Sequence, residues 1–194
     1  MQQHTATSWA PDGRWLIIDG LADDGPNAGA DDLYALSVTG DSALRHLAAT
    51  PANEQSGEVS PDGKMLAYVS DEAGQPQIYA QLYGQPSGRW VVSEGAAIEP
   101  VWASANELIY SSITKDSVIS ARLTMNVGVA RRALFPRAPY SRGSSSWREF
   151  DVSRDGRTFV FSRSVDRERP REPIVVVNWI EEVRAAFAAR GGTR

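Results

Sequence analysis

Two histidines, three glutamates and a short run of arginines are the residues of this chain whose types lend themselves to chemistry. His4 and His46 are the only histidines among 194 residues, and there is no cysteine. Transition-metal sites are built from several imidazoles or thiolates, so none is expected here. Thiol nucleophiles and disulfides are excluded outright. His46 alternates with Leu44 and Leu47 and reads as a surface side chain on an outer strand. Glu54, Glu99 and Glu149 each precede a strand-like stretch. Paired carboxylates are the machinery of glycoside hydrolysis, but nothing in this spacing makes the three converge. A polar rim, or carboxylates accepting backbone N–H groups, is the plainer expectation.

The remaining candidates are weaker. Asp23-Asp24, Asp31-Asp32 and Asp71-Glu72 supply hard oxygens without the ligand order of an EF-hand, so they read as solvated loop charge rather than a Ca²⁺ site. Serines abound, yet there is no Gly-x-Ser-x-Gly elbow and no phosphate-binding glycine loop, and Gly143-Ser144-Ser145-Ser146 falls in a Pro/Gly/Ser-rich loop. Arg131, Arg132, Arg137 and Arg142, with Tyr140, form the best candidate patch for an acidic partner. The sequence therefore assigns no catalytic residue, cofactor or metal. Its binding candidates are these four arginines, Tyr140, Glu54, Glu99 and Glu149.

The elements that position these residues come from an internal repeat. Ser8-Trp9-Ala10-Pro11-Asp12-Gly13-Arg14-Trp15 recurs as Val59-Ser60-Pro61-Asp62-Gly63-Lys64-Met65. It recurs again, degenerately, as Val101-Trp102-Ala103-Ser104-Ala105-Asn106-Glu107 and as Val152-Ser153-Arg154-Asp155-Gly156-Arg157. Gly13, Gly63, Asn106 and Gly156 are spaced 50, 43 and 50 residues apart. In Pro-Asp-Gly the proline presets φ and the aspartate stabilises the turn. The glycine takes the left-handed conformation of a three-residue hairpin with a bulge. Asn106 stands where the others have glycine and is the next most tolerant residue at positive φ.

An apolar strand follows each turn: Trp15 to Ile18, Met65 to Val69, Leu108 to Tyr110 and Thr158 to Phe161. Third strands are expected at Leu33 to Leu36, Ile78 to Leu82, Val118 to Leu123 and Ile174 to Val177. More polar fourth strands are expected at Leu44 to Leu47, Arg89 to Val92 and Arg131 to Phe135. Trp9, Trp102 and Trp147 precede or enter inner strands, so most should pack between units, and one or two could instead line a binding surface.

This pattern resembles the PD40 repeat of TolB-like β-propellers. It does so through Ser60 to Lys64, Ser70-Asp71-Glu72-Ala73-Gly74 and Ile78-Tyr79 in the second unit, and through Ala10 to Arg14 and Leu33-Tyr34 in the first. The tail from Ile174 to Arg184 is similar to the end of propeller regions that follow kinase or winged-helix domains in bacterial regulators. The resemblance implies an all-β fold of about four four-stranded antiparallel blades, a partial or half propeller, at roughly 5–50, 54–94, 97–136 and 147–178. Ile180, Val183 and Phe187 give residues 179–194 the pattern of a short helix and tail. In such a propeller Glu54, Glu99 and Glu149 would lie near the channel mouth.

A non-catalytic protein-interaction or ligand-sensing module follows. Its partner would be a protein or small ligand at one face, and open blade edges would allow a homodimer. The alternative is an enzyme-associated propeller, from a prolyl-oligopeptidase-like hydrolase or a polysaccharide lyase or glycosidase. The likeness also implies a periplasmic or extracytoplasmic setting, although Met1 to Thr5 show no signal-peptide character. The abrupt start on a strand suggests a fragment of a longer protein or a short member of its class. A net charge of −4 argues against a nucleic-acid partner, and no apolar stretch approaches the roughly 20 residues of a membrane span.

Overall fold

The computed structural model describes residues 4–21, 28–40, 42–85, 88–124, 128–138, 148–153 and 156–162. All lie in one compact unit, residues 1–164. Its first sheet contains β1 (His4–Trp9), β2 (Trp15–Leu21), β3 (Asp31–Ser37) and β4 (Leu44–Ala48). The second contains β5 (Glu54–Val59), β6 (Met65–Ser70), β7 (Gln77–Leu82) and β8 (Trp90–Val91). The third contains β9 (Ala97–Ser104), β10 (Glu107–Ser112), β11 (Ser117–Thr124) and β12 (Gly128–Pro136). A two-stranded ribbon, β13 (Phe150–Val152) and β14 (Phe159–Phe161), begins a fourth. Strands are ordered sequentially within every sheet, and all pairings are antiparallel. The strand expected at 174–177 and the helix expected at 179–194 lie outside the described residues.

Alternation along each middle strand divides its side chains between two neighbouring sheets, so the core is a series of inter-blade layers. β6 is buried throughout. Its Leu66 and Tyr68 pack with Ile17, Leu33 and Ala35 of the first sheet. Its Met65, Ala67 and Val69 pack with Trp102, Leu108 and Tyr110 of the third. Val101, Ala103, Ile109 and Val118 then meet Phe150, Phe159 and Phe161. Leu33, Leu66 and Leu108 are fully buried, each contributing about 1.5–3 kcal/mol.

The Pro-Asp-Gly tips close as four-residue loops, one residue longer than the hairpin expected from the motif. Ser60 N donates to Met65 O at 2.8 Å and Gly63 N to Ser60 O at 2.8 Å, with the same pair of bonds at Ala10–Trp15 and Ser153–Thr158. Ser60 Oγ donates to Asp62 Oδ1 (2.6 Å) and accepts from Met65 N (2.9 Å), which tightens the second tip. Gly13 and Gly63 adopt positive φ (68° and 74°). Asn106 does not. The third tip pairs Ser104 with Glu107 across two residues and closes without a left-handed residue.

Inner strands β1 and β5 each shift register at one point, between Ala6 and Ser8 and between Gln55 and Glu58, and β9 at two, opposite Glu107/Leu108 and Ile109/Ser111. Within the β5 bulge and the β9 bulge opposite Ile109/Ser111, Ser56 (φ 55°) and Glu99 (φ 58°) occupy the left-handed region without being glycine. Both stand seven residues before their tips. Such bulges re-aim side chains and cluster beside functional sites. Gly57 follows Ser56 at the point of closest approach between the first two sheets. Its carbonyl accepts Thr7 Oγ1 (2.7 Å) and Ser8 Oγ (2.9 Å). A β-carbon there would sit 2.9 Å from Ile17 Cγ2 and 3.1 Å from Leu33 Cδ2. Gly57→Ala is therefore expected to destabilise the protein by about 1–3 kcal/mol through overpacking, read from the midpoint of urea unfolding.

Candidate functional site

The inner strands of all four sheets surround a cavity of about 850 Å³ at the tip end of the molecule. Counting five residues back from Gly13, Gly63, Asn106 and Gly156 gives Ser8, Glu58, Val101 and Asp151, and all four line it. A smaller chamber of about 120 Å³ lies among Thr5, Thr7, Ser56, Glu99 and Pro100. Thr7 and Arg148 line both spaces.

Arg148, just before β13, is the charged centre of this region. Its Nη2 lies 3.2 Å from Glu58 Oε2 and 3.4 Å from Thr7 O, and its Nη1 lies 3.7 Å from Asp151 Oδ1. Glu58 belongs to the second blade. Its Oε1 accepts Trp102 N at 3.4 Å and its backbone carbonyl accepts Trp102 Nε1 at 3.0 Å. Its Oε2 is buried and accepts no hydrogen bond, despite the ion-pair distance to Arg148. Burial pushes the Glu58 carboxyl up to about 7, against the opposing pull of the Arg148 guanidinium.

Trp102 is buried between blades as its motif position predicts, whereas Trp9 is 59% exposed. Trp9 is thus one of the tryptophans that line a surface: it stands in the cavity wall at the end of β1. Trp147 lies outside the described residues.

Of the three glutamates named by sequence, Glu99 and Glu149 meet, whereas Glu54 is held by other partners. Glu54 is fully buried and accepts Thr50 N (3.0 Å), Thr50 Oγ1 and Ser70 Oγ (3.2 Å). Glu99 accepts Ser111 Oγ (2.8 Å) and Glu149 N (2.7 Å). Glu149 accepts Ser162 Oγ (3.1 Å). Each thus ties a first strand to the serine of its second strand. Burial raises the Glu54 and Glu99 carboxyls, and these hydrogen bonds oppose the rise. Three carboxylates also join consecutive blades. Asp19 accepts Ser56 N at 3.0 Å, Glu58 accepts Trp102 N, and Glu99 accepts Glu149 N.

The arginine patch is dispersed as well. Arg131 turns back onto the second sheet, where Nε donates to Val92 O (2.6 Å) and Nη1 to Glu94 Oε1 (3.4 Å). Arg137 is buried, its charge near Glu99. Arg132 is exposed. Tyr140 and Arg142 lie outside the described residues. Asp31 and Asp32 open β3 and are not solvated loop charge: Asp32 is buried and Asp31 accepts Gln55 Nε2. In the loop after β6, Asp71 accepts Asn53 N (2.9 Å) and Nδ2 (2.7 Å). The His46 ring lies tilted against Tyr34, centroids 4.7 Å apart, with Nδ1 3.9 Å from Asp32 Oδ2.

No protein-family model matches the sequence. Solved structures do resemble the fold. A puromycin-hydrolyzing peptidase of Mycobacterium tuberculosis superposes over 80% of this chain and 27% of its own, at 19% identity and a TM-score of 0.61. TolB from Acinetobacter baumannii matches over 82% of this chain and 37% of its own (14% identity, TM-score 0.56). A putative TolB from Agrobacterium tumefaciens matches over 69% and 50% (19% identity, TM-score 0.54). The chain thus spans half or less of the structures it matches. At these identities the likeness shows the fold, a set of β-propeller blades.

Proposed function

We propose that this TolB-like set of propeller blades is a non-catalytic binding module, and that its ligand or protein partner enters the central cavity at the tip end. The observation that carries the reading is the 850 Å³ space lined by four inner strands, with Trp9 exposed in its wall and Arg148 at its centre. Such a volume suits a small organic ligand or the end of a peptide. The engagement of Glu54 and Glu99 in hydrogen bonds between strands supports binding over acid–base catalysis. Titration with a panel of tripeptides and disaccharides is expected to give a saturable change in tryptophan emission that Trp9→Phe abolishes. A change indifferent to that substitution, or a silent panel, would count against the cavity.

A second reading, a propeller accompanying a hydrolase domain, draws on the match to part of the M. tuberculosis peptidase. Amide turnover that requires a hydrolase domain in the same preparation, with none by this chain alone, would favour it. We also propose that two copies pair through edges of their first and last blades, since an uncovered strand edge favours association. Light scattering after size exclusion is expected to give a dimer mass, and a strict monomer would remove that part.

A further inference from the structure

Arg148 carries five N–H donors in a planar fork, yet among the described residues no partner meets it with two parallel bonds. Its contacts to Glu58, Thr7 and Asp151 stand at 3.2, 3.4 and 3.7 Å. A guanidinium fork matches a carboxylate, which would give two short charge-assisted bonds instead. Beside it, Glu58 Oε2 is buried without a donor. A carboxyl in that state, once protonated, becomes an O–H donor aimed into the same space. An arginine and a neutral acid side by side form a receptor for one singly charged, planar anion. A phosphate dianion fits less well, because Asp151 faces the same guanidinium.

We propose that the cavity takes its ligand by a carboxylate group, which replaces Glu58 as the partner of Arg148 while Glu58 takes up a proton from solvent and donates its O–H to the incoming carboxylate. No covalent bond to carbon changes, and one proton is bound for each ligand. This rests on the cavity being the binding site. The groups facing Glu58 are Arg148 from the lead into β13, Asp151 on β13 and the Trp102 N–H on β9. Arg148 and the N–H favour the ionised form, whereas Asp151 and burial favour the protonated one. Drawing Arg148 away removes the larger restraint, so the carboxyl, near 7 in the free protein, rises further in the complex.

The test is calorimetry on the full chain with acetyl-Ala-Ala-Ala bearing a free carboxylate, its C-terminal amide, and the unacetylated tripeptide amide. The acid is expected to bind at least about tenfold more tightly than either amide, because a neutral terminus leaves the fork unpaired. Its affinity should fall roughly tenfold from pH 7.5 to 8.5 and level off below pH 6, with heats in buffers of different ionisation enthalpy reporting close to one proton taken up. Glu58→Gln should keep the low-pH affinity and lose the pH dependence. Arg148→Met should lose acid binding. If that variant does not fold, Arg148→Lys, which keeps the charge without the fork, should still weaken the acid at least about tenfold.

Equal binding of an amide overturns the carboxylate assignment and leaves the cavity reading standing. A pH-independent affinity overturns the proton exchange. Failure of all three probes alongside a Trp9 response to the wider panel overturns this inference alone, and failure of both overturns the cavity reading with it.

Discussion

Tyr68→Ala is expected to lower stability by about 3–5 kcal/mol, the range for truncating a buried aromatic side chain. Tyr68 is 1% exposed in the layer between the first and second blades and stacks on Tyr79 at 5.9 Å. Its hydroxyl donates to Gln81 Oε1 at 3.3 Å, and Gln81 Nε2 donates to Leu47 O of the first blade at 2.7 Å. The truncation therefore opens a cavity and leaves the Gln81 acceptor without its donor in the same step. Tyr68→Phe removes only the second effect and should cost about 1 kcal/mol. Urea unfolding of the two variants separates the terms. A Tyr68→Ala loss no larger than that of Tyr68→Phe would show that the layer collapses around the deletion.

The second large effect concerns Glu58 and has a sign that runs against ordinary acid denaturation. Its carboxyl stands at about 7 in the folded chain against an ordinary 4.5. The folded state therefore holds its proton over a range where the unfolded chain has released it. This contribution to stability is complete below about pH 4.5 and is lost as pH rises through 7. It amounts to about 3 kcal/mol at 1.36 kcal/mol for each pH unit of displacement. Glu58→Gln, which has no proton to lose, is expected to match the parent near pH 4 and exceed it by up to about 3 kcal/mol at pH 8. Paired denaturation curves at the two pH values test this. A variant less stable than the parent at pH 8 would show that attraction to Arg148 outweighs desolvation.

The repeat made the blades legible because Pro-Asp-Gly, a following apolar run and an Ile-Tyr or Leu-Tyr strand are all local signals. Each fixes a turn or a face within a few residues of itself. Strand positions followed directly, down to Leu44–Ala48 and the short Trp90–Val91. What went unread depends on contacts across blades. Glu54 and Glu99 stood out because they precede strands, yet their partners Ser70 and Ser111 lie across the hairpin and hold them within the sheet. Arg131 was grouped with its sequence neighbours although its fork bonds the second sheet. Arg148 carries no motif at all.

One signal was available and unused. The repeat register that aligns the glycines also aligns Glu58 with Asp151, and it places both in the cavity wall. Asn106 shows another limit: a residue that tolerates positive φ need not adopt it, and the third tip turns in two residues without it.

The carboxylate-to-amide bonds from Asp19 to Ser56, Glu58 to Trp102 and Glu99 to Glu149 each reach only the adjacent sheet. Cohesion of this kind passes from neighbour to neighbour, and Arg148 adds a tie from the lead into the fourth sheet to Thr7 of the first and Glu58 of the second. Amide protons on β6, flanked on both sides, would then be the slowest to exchange with deuterated solvent. Outer strands would open in excursions that leave the middle intact, while Arg148 would carry part of a lesion at one end to the other.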